Sequence, residues 1–157
     1  MGTHRIQFAK ALTLLALFGC AGKPATTTGP GGSGTVKIDT LEGKTWVLTQ
    51  LDEGHPVPAE PAITLVFEKG KISGSGGCNQ YFASVTSPSP GAVQVGPVGA
   101  TKRFCSGEVG EGEQQFFAAL GKASHYSLEG GNLVLTWEKE GQQAPGRLIF
   151  AARPAAG

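Results

Sequence analysis

The sequence predicts a mainly β fold of the α+β class, in which an antiparallel sheet of about seven to eight strands forms a barrel-like or half-closed structure with one helix. Of the 157 residues, 25 are glycine and 10 are proline, which favours short strands joined by turns over a helical bundle. Strand-forming segments recur at intervals of about 8–12 residues. One segment, residues 111–121, has apolar side chains at helical spacing instead.

The predicted strands are short runs rich in β-branched, aromatic and leucine residues, bounded by glycine, proline or charged residues. These runs are Trp46–Leu51, Ile63–Phe67, the run that begins at Ile72, Tyr81–Thr86, Ala92–Val95, Tyr126–Leu128, Leu133–Trp137 and Arg147–Ala151. In the predicted helix, Phe116, Phe117 and Leu120 share one face, acidic residues occupy the first turn, and Gly121 ends it.

Residues 1–19 have the features of a lipoprotein signal peptide. Arg5 and Lys10 precede an apolar run of about eight residues, far shorter than the roughly 20 that a transmembrane helix needs. The run ends in Leu17-Phe18-Gly19-Cys20, which resembles the bacterial lipobox. In that motif the cysteine is diacylated on sulfur and becomes the new N-terminus, so we expect lipidation, with palmitate among the acyl groups, at Cys20. An ordinary secretory signal with an incidental cysteine is the alternative.

Residues 20–38 are predicted to form a flexible tether between the acylated Cys20 and a domain at 39–153. The stretch from Ala21 to Thr35 is small, polar and rich in Gly, Pro and Thr, so it has too little apolar surface to offset the entropy of ordering. By resemblance to proteobacterial sorting signals, Ala21 in place of aspartate predicts the periplasmic face of the outer membrane if the organism is Gram-negative. We therefore expect a lipid-anchored protein of the cell envelope.

The overall charge gives no reason to expect a nucleic-acid partner. Without Arg5 and Lys10 the chain has 11 basic and 12 acidic residues, and only 16% of all its residues are charged. Such a balance does not attract DNA, RNA or an anionic membrane surface by bulk charge. The membrane is expected as a partner through the lipid anchor alone.

Two cysteines remain once Cys20 is acylated, and they are predicted to form a disulfide. Export places Cys78 and Cys105 in an oxidising compartment, where a structural bridge is the default. A redox-active pair and two free thiols are the alternatives. A redox pair usually has its cysteines close together at a helix start, whereas these are distant in sequence and lie in glycine-rich turns.

Motifs spread over the whole domain resemble the META/HslJ-like domain family. The most specific are Gly77-Cys78-Asn79 with Tyr81-Phe82, and the Thr101-x-x-x-Cys105 element. The other matches are Leu41-x-Gly43-x-x-Trp46-x-Leu48-x-x-Leu51, Leu65-x-Phe67-x-x-Gly70-x-Ile72-x-Gly74, Phe116 to Leu120, Tyr126-x-Leu128 and Leu133-x-Leu135. The resemblance implies a compact, barrel-like β domain with one helix, often on an envelope lipoprotein. It also implies links to heat shock, antibiotic tolerance, motility and virulence, and it supplies no accepted reaction and no catalytic residues.

Sequences that are close to catalytic motifs fail on spacing. A nucleophile elbow at Ser75 needs a glycine two residues earlier, where Ser73 stands. A dinucleotide-binding motif needs a third glycine where Asn79 stands. The glycine-rich stretch is better explained as a strand bend that lets the backbone approach closely. We therefore expect no catalytic residues.

Metal and acid–base sites are not expected either. His55 and His125 lie about 70 residues apart, outside any short-spaced ligand cluster, so neither a metal nor a cofactor is predicted. The acidic side chains are interpreted as charges of a helix start and a strand face rather than as catalytic dyads. The pairs concerned are Glu111/Glu113 and Glu138/Glu140.

The sequence thus predicts a non-catalytic envelope lipoprotein that acts in envelope stress or antibiotic tolerance by binding another envelope protein. Asn79, Tyr81 and Thr101 are the candidate binding residues, with capping of backbone groups or a left-handed conformation as the alternative role of Asn79. A second hypothesis is a barrel-type carrier of a small apolar ligand. Its cavity would be lined by Trp46, Phe67, Phe82, Tyr126 and Trp137, which are otherwise core residues.

Overall fold

The computed structural model describes residues 37–52, 55–57 and 59–153 of the chain. The predicted signal peptide, the lipidation site at Cys20 and most of the predicted tether lie outside the described residues. Within the described part, no helix is long and apolar enough to cross a membrane.

The described residues form ten strands, one α-helix and one short 3-10 helix. The 3-10 helix is Ile38–Leu41, and the α-helix, α1, is Gly107–Leu120. The strands are β1 (Thr45–Leu51), β2 (His55–Pro56), β3 (Thr64–Glu68), β4 (Lys71–Ser75), β5 (Gln80–Thr86), β6 (Gln94–Val95), β7 (Gly99–Ala100), β8 (His125–Glu129), β9 (Asn132–Trp137) and β10 (Gly146–Arg153).

The strands form a nearly closed antiparallel barrel. Their order is β6-β5-β4-β3-β1-β10-β9-β8, with β2 beside β1 and β7 beside β5. The two ends of this order meet where Val93 N–H donates to Ser124 O at 2.9 Å and Tyr126 N–H donates to Gly91 O at 2.8 Å. The predicted barrel-like antiparallel sheet with one helix is therefore confirmed.

The barrel interior is filled by its own side chains. Along β5 the odd-numbered residues Tyr81, Ala83 and Val85 are buried and the even-numbered ones are exposed, as expected for a sheet with one buried face. Helix α1 places Phe116 against the barrel, with its ring centroid 5.4 Å from that of Tyr81 and 6.4 Å from that of Phe150, both in edge-to-face geometry.

The two ends of the barrel carry different features. At the end where the chain enters the domain, Lys69 N–H donates to Glu42 Oε1 at 2.8 Å. At the opposite end, Thr101 N–H donates to Gln80 O at 3.0 Å, and helix α1 begins nearby. Val85 of β5 lies at the first of these ends, where its N–H donates to Gly70 O at 2.9 Å, next to Lys69. Gln80 and Val85 are five residues apart on β5, so the two ends are separated by about 17 Å of strand. We call them the entry end and the loop end.

Helix α1 begins earlier than the sequence predicts. The apolar spacing placed its start at residue 111, whereas the structure places it at Gly107. The first turns contain Gly107, Gly110 and Gly112, and glycine has low helix propensity. Gly110 is required because a Cβ there would lie 2.1 Å from Cys105 O. Because the close approach of the preceding loop requires glycine in the first turns, helix propensity does not predict where the helix begins.

Candidate functional site

Asn79 is the centre of a buried polar network at the loop end of the barrel. Its side chain is 6% exposed, and every hydrogen-bonding position of its amide is used. Oδ1 accepts from Arg103 N–H at 2.7 Å and from Thr101 Oγ1–H at 2.8 Å. Nδ2 donates to Arg103 O at 3.2 Å and to Glu113 Oε1 at 2.6 Å. The amide therefore fixes the backbone of the segment that precedes α1.

Glu113 anchors helix α1 to the same turn. Its side chain is buried, and Oε2 accepts backbone N–H groups from Cys78 at 3.1 Å and from Asn79 at 2.5 Å. These N–H groups and the Asn79 amide supply the hydrogen bonds that a buried carboxylate needs. Sequence reasoning missed this role, although the signal was present. Glu113 lies three and four residues before Phe116 and Phe117, on the apolar face of the helix.

A disulfide between Cys78 and Cys105 joins the network to the start of α1. The Cα atoms are 6.2 Å apart, and the bridge closes a sequence separation of 27 residues. The predicted disulfide is thus present. Together with the Asn79 amide, it holds the segment Thr101–Phe104, which we call the docking loop, at both ends.

The docking loop presents an aromatic side chain and two cations to solvent. Phe104 is 92% exposed, and Lys102 and Arg103 are exposed beside it. Phe82, on the outer face of neighbouring β5, is 65% exposed and covers Gly99 of β7, where a Cβ would lie 2.8 Å from Phe82 Cζ. Phe82 and Phe104 are the large apolar side chains that the described structure leaves exposed. A phenylalanine is normally buried, so Phe104 is unusual in being almost fully exposed on a firmly held loop.

The three candidate binding residues make internal contacts. All hydrogen-bonding positions of the Asn79 amide are occupied, as described above, and the Thr101 hydroxyl donates a hydrogen bond to Asn79 Oδ1. Tyr81 is buried, its hydroxyl donates to Thr64 O at 2.9 Å, and burial raises its pKa. Asn79 and Thr101 therefore shape the docking loop from within, while direct contact of these three residues with a partner stays a prediction.

The glycine-rich turn has the structural role that its sequence suggests. At Gly74 a Cβ would lie 2.0 Å from Thr64 O, so the two strands approach too closely for any side chain. Ser75 N–H donates to Thr64 Oγ1 at 3.0 Å. In the part of the chain that the structure describes, no three His, Cys, Asp or Glu side chains are placed to hold a metal ion.

The aromatic residues expected around a barrel cavity separate into two groups. Trp46, Phe67, Tyr126 and Trp137 belong to the hydrophobic core, whereas Phe82 points outward. A cleft of about 480 Å³ lies outside the barrel, between β1, the chain before β3 and the first turns of α1. A second, more polar cavity adjoins the later turns of α1 and contains the ion pair of Asp52 with Lys139, at 2.7 Å.

Comparisons with known proteins identify the family and the fold. The family model described as META domain matches residues 39–148. An NMR structure of a protein from Burkholderia xenovorans is similar, with a TM-score of 0.60 and 19% identity, covering 87% of this chain and 99% of that one. A second NMR structure has a TM-score of 0.57 and 20% identity, and the match covers 74% of this chain and 94% of that one. At such identities the two structures show the fold alone. No curated protein matches the chain.

Proposed function

The chain belongs to the META domain family, and on that premise we propose that it is a non-catalytic, lipid-anchored envelope protein that binds another envelope protein through the docking loop. The predicted lipobox at Cys20 supports the anchor. The family resemblance supports a role in envelope stress or antibiotic tolerance.

The observation that carries the proposal is the display of Phe104 on a loop that the fold holds firmly. Burying one phenylalanine side chain on a partner contributes about 1.5–3 kcal/mol. A loop fixed by the Cys78–Cys105 disulfide and by the Asn79 amide has little conformational entropy left to lose on binding. Such preorganisation favours a specific protein contact over a transient one.

The charges of the loop define the partner's surface. Lys102 and Arg103 directly precede Phe104 and are exposed with it, so the complementary surface is an apolar pocket with an acidic rim. The loop end lies opposite the end at which the chain enters from the predicted tether. The docking loop is therefore clear of the chain that leads to the predicted anchor and is accessible to a protein partner.

Charge reversal at the loop tests this proposal in cells that carry the protein natively. Crosslinking is followed by quantification of each envelope protein attached to the wild type, to Phe104→Ala and to Lys102→Glu/Arg103→Glu. Lys71→Glu/Arg153→Glu is the matched control, because it makes the same change in net charge at exposed positions of the entry end. We expect the crosslinked amount of one acidic envelope protein to fall at least fivefold in both loop variants and to stay at the wild-type level in the control. Survival of the cells under heat or antibiotic should fall in parallel. Equal recovery from all four proteins would contradict the proposal.

A carrier of a small apolar ligand is the second candidate. The core aromatics fill the barrel, so the observation that favours a carrier is the cleft outside it. Its volume lies within the range of about 300–1,000 Å³ that is typical of small-molecule sites.

A further inference from the structure

The cleft beside α1 has an apolar wall that belongs to rigid elements of the fold. Leu51 ends β1, Ile63 precedes β3, and both are also core residues. The remaining apolar wall consists of Val57, Pro61 and Val109. A site whose floor is part of the hydrophobic core is already formed before any ligand arrives.

Gly77 lines the cleft and has no side chain that would fill part of it. Its φ of +100° is a conformation that side chains rarely adopt, and a Cβ there would lie 3.7 Å from Ile63 Cγ1 and 3.8 Å from Val109 Cγ1. The neighbouring backbone is fixed, because the next two N–H groups donate to buried Glu113. The buried network thus shapes the cleft as well as the docking loop.

Gly112 lines the cleft, and no contact within the described protein requires a glycine at this position. A glycine inside a helix costs about 1 kcal/mol relative to alanine. At Gly110 this cost is offset, because the missing Cβ lets Cys105 O approach the helix closely. At Gly112 no such contact exists, since a Cβ there would meet no atom within 4 Å. Because Gly112 is one of the residues that line the cleft, a side chain there would border the same open space.

The charged residues among the described lining of the cleft are both acidic. Glu108 and Glu111, on the exposed side of α1, line its rim, and none of the described lining residues is Lys, Arg or His. Two carboxylates beside an apolar wall favour a positively charged ligand and disfavour an anionic one.

We infer that the cleft between α1 and the chain before β3 binds a small apolar molecule that carries an ammonium group. The apolar part lies against Leu51, Ile63 and Val109, in the space that Gly112 leaves open, and the ammonium faces Glu108 and Glu111. This inference rests on the carrier candidate and is independent of the docking loop.

The test uses three probes of the same shape and different charge: 4-phenylbutylammonium, 4-phenylbutan-1-ol and 4-phenylbutanoate. Binding is measured by amide NMR shifts and by calorimetry on the chain with Cys20→Ser, exported on a cleavable secretory signal in place of residues 1–19. This protein lacks both the predicted acylation site and the apolar signal segment, so it needs no detergent. We expect saturable shifts at Ile63, Gly77 and Val109. Exposed carboxylates give modest energies, so the ammonium probe should bind about tenfold more tightly than the carboxylate probe, with the alcohol between them.

Two sets of variants locate the site. Gly112→Leu adds a side chain to the wall of the cleft at a position where a Cβ would meet no atom within 4 Å, and it is expected to abolish binding while thermal stability stays the same or rises. Glu108→Gln/Glu111→Gln should reduce the preference for the ammonium probe to about threefold or less. Asp39→Asn/Glu68→Gln, which neutralises two exposed acids at the entry end, is the matched control and should leave the preference unchanged.

Three results would overturn the inference: no saturable shift with any probe at millimolar concentration, equal affinity for ammonium and carboxylate, or wild-type binding by Gly112→Leu. Phe104→Ala should bind the ammonium probe as the wild type does. Failure of the docking proposal and failure of this inference are therefore observed in separate experiments.

Discussion

Replacing Asn79 with alanine is expected to remove a large share of the stability of the domain. The amide makes three hydrogen bonds to neutral groups of Thr101 and Arg103 and one to the Glu113 carboxylate. At about 1 kcal/mol for each neutral bond and about 2 kcal/mol for the charged one, the loss is about 5 kcal/mol. Domains of this size have a free energy of unfolding of about 5–15 kcal/mol, so the variant is expected to lose at least a third of it.

Urea unfolding followed by tryptophan fluorescence measures this loss, because Trp46 and Trp137 are both buried. With a slope of about 2 kcal/mol per molar urea, the midpoint should fall by about 2.5 M. The isosteric Asn79→Asp separates geometry from charge. It keeps the acceptor for Arg103 N–H but places a carboxylate oxygen where Nδ2 donated to Glu113 Oε1.

Two carboxylates at that distance repel unless they share a proton. Asn79→Asp should therefore be strongly destabilised at neutral pH and regain stability as the pH falls, whereas Asn79→Ala has no such pH-dependent recovery. A loss below about 1 kcal/mol for Asn79→Ala, or the same pH profile for both variants, would refute the role assigned to the network.

The remaining predictions concern the bridge, the buried tyrosine and the helix glycines. Cys78→Ser/Cys105→Ser should lose about 3.5 kcal/mol in urea unfolding, the chain-entropy estimate for this separation, and an unchanged midpoint would contradict the bridge's role. Burial raises the pKa of Tyr81, so its contribution to stability is fully present below pH 10 and is lost as the pH rises above it. Tyr81→Phe should therefore give a shallower alkaline decline in melting temperature, and an identical decline would argue against a buried phenol. Gly110→Ala should destabilise strongly because its Cβ would meet Cys105 O, while Gly112→Ala should gain up to about 1 kcal/mol; equal melting temperatures for the pair would show that the loop does not press on the helix.

Local patterns in the sequence predicted most of the sheet and the later part of the helix. Alternation in β5 and the spacing of Phe116, Phe117 and Leu120 depend on periods of two and 3.6 residues, which a single segment displays. The two-residue strands β2 and β7 escaped prediction, because their pairing is fixed by the neighbouring strands rather than by their own residues.

The site depends on pairs that are distant in the chain. Asn79 and Glu113 are 34 residues apart, and no local pattern links them. The apolar face of α1 did contain the signal for Glu113, because an acid at a core position of a helix requires partners. The exposure of Phe104 could not be predicted, because it follows from how the disulfide and the Asn79 amide direct the docking loop.

The most direct test of the central claim is residue-specific photocrosslinking in living cells. A photoreactive phenylalanine analogue is placed at Phe104 or Phe82, or at Glu68 of the entry end as a control. We expect one adduct of the same mass from both aromatic positions, none from Glu68, and its loss when Lys102→Glu/Arg103→Glu is added. Adducts of equal yield at all three positions, or none at Phe104, would contradict the claim that the docking loop binds a partner.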